Sequence, residues 1–76
     1  MSTAELGAIL SDMYNSAPME DASLMIRLFG IKYAKEIKKD NYSNEEIIKA
    51  SGISELYVYE LSKGVKLSEY VNPRQL

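Results

Sequence analysis

The stretch from Met19 to Lys39 constrains this chain more than any other. At 100° per residue, Ala22, Met25, Ile26, Phe29, Tyr33 and Ile37 share one helical face, and Leu24, Leu28 and Ile31 form a stripe nearly opposite. A helix that is apolar on two sides has to be covered on two sides. In a chain of 76 residues it therefore belongs at the centre of whatever forms, and the spacing predicts a helix over 19–39. Glu20 and Asp21 at its start and Lys35, Lys38 and Lys39 near its end complement the helix dipole. Gly30 weakens a helix interior by about 1 kcal/mol relative to Ala, and close approach of a neighbouring helix would account for it.

The flanking segments supply the cover. Leu6, Ile9, Leu10, Met13 and Tyr14 recur at three- and four-residue spacing and predict a helix over 3–15. Ser2 or Thr3 caps its start, and Asn15-Ser16-Ala17-Pro18 ends it. This helix, or a second copy of the chain, is expected to cover Leu24, Leu28 and Ile31. After the Asp40-Asn41 turn, Ser43 and Glu46 have the spacing of a capping box, and Tyr42 and Ile47 that of a hydrophobic staple. They start a helix over 44–50 that Ser51-Gly52 closes. Ser54 caps a helix over 55–63, with Ile53 and Val58 as a second staple, and Gly64 is expected to end it in the left-handed conformation. One further helical turn fits 67–71 before Asn72-Pro73. The expected fold is a single all-α domain over 1–76, a small bundle of four helices, or five if 67–71 is helical.

Composition narrows the function. An apolar fraction of 46% with 26% charged residues is that of a folded chain. No apolar run approaches the ~20 residues of a membrane helix, and no basic-then-apolar leader opens the chain, so a cytoplasmic protein without membrane association is expected. With no Cys and no His, thiolate metal sites, thiol nucleophiles and the usual general base are excluded. Glu20-Asp21 and Glu45-Glu46 fall in first helical turns, where the dipole explains them. No calcium loop, phosphate loop or nucleophile elbow occurs. No enzyme, catalytic residue, cofactor or metal is expected. The net charge of -2 divides unevenly: the first 26 residues carry four acids and no base, and all nine bases lie between Arg27 and Arg74.

Two short helices joined by a glycine turn, over residues 43–64, define a helix-turn-helix pattern. The segment from Asn44 to Leu61 resembles that motif in bacterial and phage DNA-binding proteins. Ile47 and Ile48 stand at core positions of the leading helix, Gly52 in the turn, Ile53 after it, Ser54 at the second cap, and Val58 and Leu61 in the second helix's core. Such motifs usually place a small residue four before the glycine. Ile48 stands there instead and calls for a slightly wider crossing.

The resemblance implies that helix 55–63 is a recognition helix entering the major groove of duplex DNA, as a regulator would use it. Ser54, Glu55, Leu56, Tyr59, Glu60 and Lys63 would then face the bases, and Lys49, Lys66, Lys38 and Lys39, with Arg74, the phosphates. Two carboxylates against one ammonium on that outer side argue the other way. The alternative is a protein-interaction or adaptor module built on the same architecture. Leu56, Tyr59 and the Leu24, Leu28 and Ile31 stripe would then be partner surfaces, and that stripe with the N-terminal helix would form a homodimer. Tyr14, Tyr33, Tyr42 and Tyr57 fall at core or staple positions, leaving Tyr59 and Tyr70 for contacts.

Overall fold

Ser2 begins the first element. Its hydroxyl accepts from the Glu5 amide at 3.1 Å while the Glu5 carboxylate accepts from the Ser2 amide at 2.9 Å, a capping box that starts α1, Thr3–Ser16. Pro18 ends that helix's reach and leads through a 3-10 turn, Met19–Asp21, into α2, Ala22–Lys39. The helix expected over 19–39 thus opens as a 3-10 turn, because Pro18 has no N–H and an extended ψ of 147°. A computed structural model describes residues 1–72 in this way. Pro73 and Arg74, named above as a breaker and a phosphate ligand, lie outside the described residues.

Asn41 takes a φ of 58° after α2. The Tyr42 amide then reaches back to the Ile37 carbonyl at 3.1 Å and the Asn41 amide to Lys38 at 3.2 Å. This is the Schellman arrangement, with Asn in the left-handed position. The second capping box, Ser43 with Glu46, starts α3, Asn44–Ser51. Gly52 follows at φ 75°. Ser54 opens a 3-10 turn, Glu55–Tyr57, that runs into α4, Val58–Leu67. The described residues hold four α-helices, two 3-10 turns and no strand.

The core is one cluster. Leu6, Leu10, Ile26, Phe29, Ile47, Ile48 and Leu61 are fully buried, with Ile37 beside them, and Tyr14, Tyr33, Tyr42 and Tyr57 pack on it half-buried. Ile48 sits inside this cluster. It is accommodated because α3 leans chiefly on α1 and only lightly on α4. Two seams hold the layers. Against α3, a Cβ on Gly7 would lie 2.7 Å from the Ala50 Cβ and 2.8 Å from its carbonyl carbon. Between α2 and α4, a Cβ on Gly30 would lie 2.8 Å from the Val65 nitrogen, and one on Gly64 would strike the Arg27 carbonyl oxygen. Gly30 therefore has the role its position suggested.

Three expectations are corrected. Gly64 is not a left-handed cap. It is buried inside α4, which runs on to Leu67, because its missing Cβ is needed against Arg27. Residues 67–71 are not a fifth helix. Ser68, Glu69, Tyr70 and Val71 continue the end of α4 in turns whose amides bond to carbonyls three or four residues back. The N-terminal helix covers the Ile26 and Phe29 face of α2, since Leu6 and Leu10 join that cluster. The opposite stripe stays open, with Leu24 51% exposed and Leu28 half-buried, although Ile31 is only 9% exposed.

Candidate nucleic-acid interface

The turn between α3 and α4 is tied by Ser51. Its hydroxyl donates to the Ile48 carbonyl at 2.6 Å and accepts from the Ile53 amide at 3.1 Å, closing the loop around left-handed Gly52. The Ser54 hydroxyl then accepts from the Leu56 amide at 3.3 Å. The second helix therefore begins with a tight 3-10 turn, and regular α4 starts only at Val58. Tyr57, inside this turn, meets Tyr14 of α1 edge to face at 5.6 Å between ring centres, which anchors the base of the second helix to the N-terminal one. Asn44, the first residue of α3, donates to the Ser62 hydroxyl at 3.0 Å and links the two helices directly.

Between α3 and α4 lies an open groove of about 630 Å³ that brings together Glu45, Glu46, Lys49, Glu55, Tyr59 and Ser62. At its lip, Leu56 is 83% and Tyr59 74% exposed. From Tyr59, steps of 100° place Ser62, Lys63 and Lys66 along one outer face of α4, while Leu61 and Gly64 face inward. Glu60 leaves that outer face. Its carboxylate accepts from the Arg27 Nε at 2.5 Å, and the Lys63 Nζ lies 3.8 Å from its other oxygen. The hydrogen bond from Arg27 holds the Glu60 carboxyl below the usual carboxylate range, with the Arg27 and Lys63 charges adding to it. Glu46 is also engaged, in its capping box with Ser43.

A family model described as an HTH-like domain matches residues 2–74. The chain belongs to the HTH-like domain family. The match spans the N-terminal helix as well as the motif itself, in keeping with a core to which α1 and α4 both contribute. No curated protein and no solved structure gives a match to this HTH-like domain.

The residues named from the sequence fall into separate places. Ser54, Glu55 and Leu56 form the exposed start of the second helix, and Tyr59 and Lys63 lie on its outer face. Glu60 turns inward to Arg27. Lys49 lines the α3–α4 groove, whereas Lys66 joins Lys63, Arg27 and Leu67 in a patch farther along α4. Lys38 is beside Ser68 and Glu69 at the far end of α4, and Lys39 is exposed at the end of α2. Arg27, Ser51 and Asn44 were missed. Arg27 sits 33 residues from Glu60, and no local spacing announces that pair. Ser51 did adjoin the turn glycine, where a hydroxyl able to bond its own helix end is a readable signal. No helix among the described residues is long and apolar enough to cross a membrane.

Proposed function

We propose that this HTH-like domain is a non-enzymatic, cytoplasmic protein that binds duplex DNA through the start and outer face of α4. The observation that supports it is the outer face itself. An exposed Leu56 and Tyr59 lead into Ser62, Lys63 and Lys66, and of the two carboxylates on that side Glu60 is withdrawn against Arg27, leaving Glu55 exposed at its start. Leu56 suits contact with a thymine methyl and Tyr59 a base edge or phosphate. Lys49, Lys63 and Lys66 are the phosphate ligands. The ion pairs of Lys63 with Glu60 and of Lys66 with Glu69, each 3.8 Å long and exposed on the lysine side, are weak enough to be exchanged for phosphate. Lys38 and Lys39 are set farther from the tip and contribute less.

A second reading has one observation in its favour. The groove beside Tyr59 presents Glu45, Glu46 and Glu55 against Lys49 alone, a surface suited to a basic protein segment.

Titration against a mixed pool of duplex DNA at about 50 and 200 mM salt separates the two. DNA binding through about three or four phosphate contacts gives a log–log slope near -3, and Lys49→Ala or Lys66→Ala each flatten it by about 0.9. Absence of binding at the lower salt overturns the DNA reading. Loss of a protein complex on Leu56→Ala and Tyr59→Ala, with the lysine changes silent, establishes the other.

A further inference from the structure

The face of α2 that α1 leaves open carries a charge pattern along its length. Taking Leu28 as the reference direction, Leu24, Lys32 and Lys35 lie within about 40° of it at 100° per residue and Met25 and Ile31 at about 60°, while Asp21, in the 3-10 turn ahead of the helix, lines the same groove. The order along the helix is acid, apolar centre, base. The centre is a shallow groove of about 460 Å³ in which Leu67 of α4 stands beside Leu24, Leu28 and Ile31, with Asp21 at one end. Lys32 and Lys35 are exposed beyond it, next to Ile31. Arg27, on the flank, is already held by Glu60.

We propose that this face is where two copies of the chain meet, with their α2 helices antiparallel and crossing at Leu28. The pattern is self-complementary under a two-fold axis. With Leu28 on Leu28 of the second copy, Asp21 falls opposite Lys35, Leu24 opposite Ile31, and Met25 opposite the aliphatic stem of Lys32, and each pairing occurs twice. A parallel arrangement would set Asp21 on Asp21 and Lys35 on Lys35, so charge selects the antiparallel one. The apolar centre, with Leu24 51% and Leu67 39% exposed, supplies the attraction, and the charges fix register. This inference does not depend on DNA binding, and its test contains no DNA.

The experiment is sedimentation equilibrium of the full chain over a wide concentration range, with far-UV circular dichroism as the check on folding. The wild type is expected to shift from 8.6 kDa toward about 17 kDa as concentration rises. Leu28→Asp, which sets two carboxylates on the axis, abolishes the shift. Asp21→Lys and Lys35→Asp singly weaken association at least about tenfold, and the double variant D21K/K35D restores it. A wild type that stays monomeric to about 1 mM overturns the proposal. So does a dimer that Leu28→Asp leaves intact, and failure of the double variant to recover overturns the antiparallel register.

Discussion

Ser51 closes the turn between α3 and α4 with one hydroxyl, satisfying a helix-end carbonyl and the Ile53 amide together. Ser51→Ala leaves the Ile53 amide without that partner and is expected to cost about 1 kcal/mol in urea unfolding. The glycines differ in kind. Gly52 has no neighbour that an added Cβ would meet, so Gly52→Ala pays only for its positive φ, about 1 kcal/mol. Gly64→Ala drives a methyl into the Arg27 backbone and is expected to cost about 2–3 kcal/mol, where two cap glycines would show similar costs. The sequence could not separate these uses, because a glycine that ends a helix and one that admits a neighbour look alike until the neighbour is known. Glu60 adds a pH-dependent term. Its folded pKa lies below the ordinary value of 4.5, so its contribution is present above that value and is lost as pH falls through the folded one. The gap in urea midpoint between wild type and Glu60→Gln should be open at neutral pH and narrow progressively as pH falls below 4.5.

Helices, as elements, were largely legible. Caps are local chemistry, and Ser43 with Glu46 marks a helix start whatever surrounds it. Which stripe covers which was not, because periodicity gives the faces of α2 and says nothing about where α1 comes to rest. The outcome has different weights on the two sides of α2. Leu10→Ala, in the covered cluster, is expected to cost about 2–5 kcal/mol and Phe29→Ala about 3–5. Leu24→Ala, on the open stripe, should stay within about 0.5 kcal/mol when unfolding is followed in dilute solution. Thermal melts by circular dichroism check all three. The start of the second helix was also misread. Ser54 is indeed its cap, but the turn it opens is 3-10, so Glu55 and Leu56 form an exposed first turn that leads into the α4 face of Tyr59, Ser62, Lys63 and Lys66 instead of sharing one regular helix with it.

At the scale of the whole molecule, a single cluster receives side chains from all four helices, and no helix has a core of its own. Unfolding is expected to be two-state, with far-UV circular dichroism and tyrosine fluorescence giving one transition. Tyr14 and Tyr57, which join α1 to the 3-10 turn ahead of α4, contribute to that signal with the other four tyrosines, since the chain has no tryptophan. The backbone seams of Gly7, Gly30 and Gly64 have a consequence for descent. Core positions can drift among aliphatic residues as long as volume is kept, and position 52 tolerates asparagine, as Asn41 already shows. Positions 7, 30 and 64 leave no such latitude, because the atoms they face are main chain, together with the Ala50 Cβ at position 7, and no compensating substitution can shrink a main chain. Diverging descendants of this chain would therefore keep three glycines long after the recognition surface had been rewritten.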